Sequence, residues 1–247
     1  MAQYWTALAV LNQVAGELGL PKVTTITGLT DIQSVQLLSL LNSGGNELML
    51  YYPWGQFVKE WEFTTEIDVT DYELPDDYNY FVDQTQWDRT NHWPLLGPKS
   101  PQEWAWLKGS LVAPLPRMRY RVADNLFKLY PGPTISGSPP IVTLAMEYIQ
   151  KNWVDLGGDT PGPADMIVAS EDILRYNPWL LVKFVKFKFY ELKGFNTTGV
   201  NGDFMRVFNN LTGKDTGGAK LSLSGSGAAV GYIGPWSVPD GSWNVNP

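Results

Sequence analysis

The sequence predicts an α+β fold: a helical bundle body of two N-terminal and two C-terminal helices, an inserted small antiparallel β-rich subdomain, and an extended C-terminal tail. Three observations predict it. Apolar residues recur at helical spacing before residue 57 and again beyond residue 165. Between these stretches the chain alternates polar with apolar residues in short runs cut by Pro, Asp and Gly, and after Gly213 it turns to glycine and serine. The resulting boundaries are 1–56 and 165–212 for the body, 57–164 for the insertion and 213–247 for the tail.

The first helix is expected from Gln3 to Leu18, with Leu8, Leu11, Ala15 and Leu18 on one face and Gly19 and Pro21 as its end. A second starts from Thr30 or Asp31 as N-cap and carries Ile32, Val35, Leu38, Leu41, Leu48 and Tyr52 toward Pro53. Gly44 and Gly45 lie inside it, at a cost of about 2 kcal/mol against alanine, so a bend or a close backbone contact is expected there.

Strand texture begins at Phe57. The clearest hairpin is Arg117 to Tyr130, turning at Ala123-Asp124-Asn125, and Ile141 to Val154 supplies a further strand. PGPTISGSPP and GGDTPGP read as loops or an exit linker. Ser170, Glu171 and Asp172 then look like the start of a third helix. Its Val182, Val185, Phe189 and Leu192 share one face, while Lys183, Lys186 and Lys193 share another. KFVKFKFY alternates as a strand would, but the length of the segment and the stop at Gly194 favour helix. A last helix is expected over Asn201 to Leu211.

Composition narrows the function. The chain has 247 residues, a net charge of −7, no cysteine and one histidine. Absence of cysteine removes disulfides, thiolate catalysis and cysteine-ligated metals. An acidic chain is unsuited to neutralising nucleic-acid phosphates as its main task. No apolar run is long enough to span a bilayer, and the N-terminus has no signal-peptide pattern, so a product of the cytosol without a membrane anchor is expected.

No catalytic set, metal site or cofactor is expected. His92 has no G-x-S-x-G partner, and GSGAAVG lacks the βαβ context of a dinucleotide loop. Asp68, Asp71, Glu73, Asp76 and Asp77 could supply a glycosidase pair or Ca²⁺ ligands, but acids in a strand–turn passage ordinarily form solvated turns. The stretch TQWDRTNHWPLLGPKSPQEWAWLKG, residues 85–109, reads as a rigid structural joint built on Trp87, Asp88, Arg89, Pro94, Pro98 and Trp104. Ser100 would cap a short helix there, with Pro101 at its first position. In the tail, Trp236 and Trp243 have no local core, which makes them expected anchors to another subunit or protein.

The passage from Tyr72 to Gly109, YELPDDYNYFVDQTQWDRTNHWPLLGPKSPQEWAWLKG, resembles the head-to-tail connector (adaptor) proteins of short-tailed bacteriophages. KFYELKGFNTTGVNGDFMRVFNN and DTGGAKLSL resemble the same proteins' closing helices and tail. One departure is Trp93, where the family pattern has Arg. The resemblance implies a non-enzymatic virion protein of the neck, made in the host cytoplasm. It would form a homo-oligomeric ring of twelve copies around a channel through which genomic DNA passes without sequence recognition. The portal would bind above, through a docking tail that includes Leu221, Leu223, Tyr232, Ile233, Trp236 and Trp243, and a tail nozzle or tube protein below. The alternative reading is a carbohydrate-binding β module or glycoside hydrolase of a phage tail.

Overall fold

The computed structural model describes residues 4–109, 117–134, 140–157 and 161–215. β1 (Trp5–Thr6) leads directly into α1 (Ala7–Leu18), because the Thr6 side chain accepts the Ala9 N–H and caps the helix. Gly19 closes α1 in the left-handed region, with Leu20 N–H reaching Ala15 O. α2 (Ile32–Tyr51) takes Asp31 as its N-cap, and the carboxylate accepts both the N–H and the hydroxyl of Ser34. Its buried face is Leu37, Leu41, Gly44, Gly45, Leu48 and Met49, so the two glycines mark close contact with neighbouring rings. Ile32 and Val35, expected inside, are instead exposed.

A 3₁₀ turn at Gly55–Phe57 precedes β2 (Val58–Thr64), β3 (Asp71–Glu73) and β4 (Tyr78–Phe81). β5 (Trp87–Asp88), β6 (Trp93–Pro94) and α3 (Pro101–Gly109) follow, then β7 (Arg119–Ala123) and β8 (Leu126–Tyr130). β7 and β8 form the expected hairpin, Ala123 facing Leu126. The two turn residues, Asp124 and Asn125, both have φ near +60°, as a type I′ turn requires. The chain continues through β9 (Thr143–Gln150), β10 (Val154–Leu156), β11 (Gly162–Ala164) and β12 (Ile173–Leu174). α4 (Pro178–Lys193) and α5 (Thr198–Asp215) end the described chain.

The strands form three antiparallel sheets: β1-β12-β10-β11, β2-β9-β5-β6 with β4 also on β9, and β3-β8-β7. Among the described residues, five helices and twelve strands make the chain strand-rich. This corrects the expected helical bundle with a small β insert. Contacts gather the described chain into two compact units, one of 4–58 with 149–215 and one of 59–148, and the first owns the four-stranded sheet beside its helices.

The segment read as the start of a helix at Ser170 is the reason. Ser170 and Asp172 are committed to tertiary bonds: the Ser170 hydroxyl accepts Ile26 N–H, while the buried Asp172 carboxylate accepts the N–H groups of Gly157, Val168 and Ala169. Residues 173 and 174 can then pair as β12, with Leu174 in register with both Trp5 and Val154. α4 starts later, capped by Asn177 with Pro178 in the first turn, and ends at left-handed Gly194.

The core of the first unit is aromatic. Phe57, Trp153, Tyr176 and Phe184 are fully buried, and the Phe57 and Tyr176 rings meet edge to face at 4.9 Å. The second unit has its own core of Leu95, Met118, Tyr120, Phe127, Leu129, Val142, Leu144 and Met146, covered by Trp61, Phe63 and Phe81.

Candidate functional site

The stretch from 85 to 109 lies in the second unit. Asp88 is buried at the β5–β6 turn and its carboxylate organises that turn by accepting from Thr90 N–H, Asn91 N–H, the Asn91 amide and the Trp93 indole at 2.8–3.0 Å. Arg89 is exposed, donates its backbone N–H to Thr143 O and pairs with Glu60. Trp87 is half-buried opposite Ala145 and Pro94, and Pro94 is buried.

Beyond Pro98, which is exposed and follows a cis peptide bond, Ser100 and Glu103 cap α3 reciprocally. The Ser100 hydroxyl accepts Glu103 N–H, and the Glu103 carboxylate accepts Ser100 N–H. That hydrogen bond, followed by the Lys99 charge, holds the Glu103 carboxyl below its usual range. Trp104 is buried 6.2 Å from Tyr130, whereas Trp106 is 68% exposed. His92 sits exposed on the loop with φ at 59°.

The acidic cluster is tied into the sheets. Asp71 accepts from Lys128 at 2.7 Å on the neighbouring strand, and this bond holds its carboxyl low. Asp77 accepts from Lys59 at 2.5 Å and from the Tyr148 hydroxyl at 2.8 Å. Burial raises the Asp77 carboxyl, but these partners outweigh it and hold it below the usual range. Asp68 occupies a left-handed turn position. No group of three His, Asp or Glu among the described residues could hold a metal ion. Beside Trp87 a shallow hollow of about 330 Å³ is lined by Glu60, Gln84, Arg89 and Glu147.

In the first unit, three of the four α4 lysines are spent on internal pairs. Lys183 and Lys186 donate to Glu17 at 3.0 and 2.9 Å, and Lys188 donates to Glu47 at 2.8 Å. Glu47 also accepts the Tyr51 hydroxyl, which pushes that phenol up to about 12.

Apolar side chains face outward from this unit at Leu50, Tyr51, Ile173 and Trp179 and in two further places. One surrounds the start of α2: Ile32 is 82% exposed, and Val35 lies two helical turns before Asn42 on the same face. Asn42 accepts the N–H of Ile167, which brings the exposed Met166 and Val168 to that face. The other is the α4–α5 connection, where Leu192 and Phe195 are both 56% exposed and Met205 is partly so. The sequence reading missed the first place. The signal was a second apolar stripe on α2, Ile32 and Val35, out of phase with Leu37, Leu41 and Leu48. Leu221, Leu223, Tyr232, Ile233, Trp236 and Trp243 lie outside the described residues.

The model of one protein family, described as SU10 adaptor protein, matches residues 5–209 of the chain. Among curated proteins, none matches it significantly.

Proposed function

The chain belongs to the SU10 adaptor protein family, and from that premise we propose that it forms the adaptor ring between the portal and the tail of a short-tailed phage. The family is one of phage structural adaptors, so the protein is a virion component whose partners are head–tail proteins. The ring, of twelve copies, surrounds a channel for DNA and contacts the portal above and a nozzle or tube protein below. The tail from residue 213, with Leu221, Leu223, Tyr232, Ile233, Trp236 and Trp243, docks onto the portal. Residues 85–109 serve the second unit as its rigid joint.

The observation that carries this reading is the extent of the family match, which takes in residues of both units. Two physical features support it. Three of the four α4 lysines are paired with Glu17 or Glu47 and the net charge is −7, so passing DNA meets few free cations from that helix. No helix among the described residues is long and apolar enough to cross a membrane.

The test is the mass of the protein in solution with and without purified portal, joined to imaging of particle necks. Ring density beneath the portal, and loss of portal binding when the chain is cut at Gly213, are expected. The hollow beside Trp87 favours one rival, a carbohydrate-binding module. A chain that stays monomeric with portal present, binds oligosaccharide and loses that binding in Trp87→Ala overturns the adaptor ring.

A further inference from the structure

One long strand has an open side. β2 ends its sheet, with β9 as its one neighbouring strand among the described residues, so alternate N–H and C=O groups along its seven residues point away from the sheet. β7, the next longest strand at a sheet end, is bonded along its outer side by Leu96 and Lys99. Along β2 the side chains alternate. Trp61 and Phe63 are half-buried against the core of the second unit, whereas Glu60, Glu62 and Thr64 are exposed. A strand added here needs apolar residues at alternate positions, beside Trp61 and Phe63, and no acid beside Glu60 and Glu62. A second copy of β2 fails the second condition. Paired antiparallel about Trp61 it sets Glu60 against Glu62 twice, and paired parallel in register it sets each against its own copy.

The chain carries a segment that meets both conditions. Lys220-Leu221-Ser222-Leu223-Ser224, outside the described residues, alternates with the period of a strand and bears a single charge, which is positive. Its point of departure is set by the fold. α5 ends at Asp215, whose carboxylate accepts Gly55 N–H at 2.9 Å, three residues before β2 begins. Lys220 follows Asp215 by five residues, as Glu60 follows Gly55. Five residues of extended chain reach up to about 17 Å. The path from Gly55 to Glu60 is shorter than that, because it begins with the 3₁₀ turn. The tail therefore starts beside the start of β2 and can run along it in the same direction.

We propose that residues 220–224 add to the open side of β2 in the same chain as a parallel strand, with Leu221 and Leu223 beside Trp61 and Phe63. Glu60 is shared with Arg89, so Glu62 is the carboxylate that Lys220 meets. The inference rests on the reading of the tail as the segment that docks onto the portal, and it names where that segment is held before the portal is met. Bound portal takes Leu221 and Leu223 and so frees β2.

Residue-resolved hydrogen exchange of the β2 amides in the full chain tests this. The alternate amides that β9 leaves unbonded are expected to exchange about tenfold or more slowly in the wild type than in a Leu221→Asp, Leu223→Asp double variant, at any protein concentration. The β7–β8 amides keep their rates in both and serve as the control of folding. Lys220→Glu is expected to speed exchange at the same β2 amides, and Glu62→Lys in the same chain to slow it again. Equal rates in wild type and double variant, protection that is lost on dilution, or protection that persists under saturating portal overturn the proposal. Portal binding, measured on the same samples, separates the two readings. A chain that binds portal with no protection of the open side of β2 sinks the added strand and leaves the docking tail standing. Protection that needs Leu221 and Leu223, in a chain that does not bind portal, does the reverse.

Discussion

Gly45 faces the indole of Trp153 so closely that a β-carbon built on it would lie 2.3 Å from Cζ2. Trp153 cannot retreat. It is fully buried and its Nε1 donates to both Asn46 Oδ1 and Asp165 O at 2.9 Å. The helix therefore tolerates glycine's entropic cost because only a bare Cα admits the ring.

Three alanine substitutions separate packing from helix propensity. Gly45→Ala should destabilise the protein by about 1–3 kcal/mol through overpacking. Gly44→Ala meets Phe184 at 3.0 Å, so its propensity gain of up to about 1 kcal/mol is largely cancelled. Gly16 in α1 has nothing within 4 Å, and Gly16→Ala should stabilise by about 1 kcal/mol. Denaturant unfolding ranks the three. Equal effects at positions 16 and 45 would show that Trp153 does not set the constraint.

Asp172 carries the joint between the loop at 166–171 and the sheet of the first unit. Its two oxygens serve three backbone donors at 2.7–3.1 Å in a site closed to water. Asp172→Ala orphans all three and should cost about 3 kcal/mol or more, whereas Asp172→Asn keeps one accepting oxygen and should cost less. Thermal unfolding of both variants checks this, and parity between them refutes it.

The contrast between these residues explains what was legible in the sequence. Gly19, Asp31 and Gly194 act within a few residues of themselves, so caps and helix ends could be read locally. The hairpin turn was legible for the same reason, although Ala123, read as part of it, ends β7. Asp172 looked like helix-initiating charge because its donors at Gly157 and Val168 are set by tertiary approach, and β12 is too short to show alternation. The four-stranded sheet was lost with it. On α2, two out-of-phase stripes were merged into one buried face, which hid the exposed Ile32 and Val35. For residues 85–109 the sequence showed the Ser100 cap, but not that Asp88 gathers four donors in its turn.

Asn125 holds φ at 57°, a conformation that costs most side chains strain. Asn125→Gly completes an Asp-Gly type I′ turn and should be neutral or stabilising by a few tenths of a kcal/mol, while Asn125→Val should destabilise by about 1–2 kcal/mol. The effect is confined to the β7–β8 hairpin, so hydrogen exchange of its amides gives the direct readout. Equal protection in the two variants would mean that the turn does not govern the hairpin.

Glu17 links α1 to α4 through Lys183 and Lys186. Burial pushes its carboxyl up, but the hydrogen bonds and charges of Lys186 and Lys183 together outweigh burial and hold it below the ordinary glutamate range. A group depressed in the folded state releases its proton more readily there than in the unfolded chain. Its stabilisation is therefore complete above the unfolded glutamate pKa and is lost as pH falls through the lower folded value. Glu17→Gln should lower stability near neutral pH by up to about 1 kcal/mol, and the gap from wild type should close as the solution is acidified through that window. Unfolding curves for both proteins across the acid range measure the gap. If it keeps the same size from neutral pH down to the point where both unfold, the two lysines do not act on Glu17 through charge.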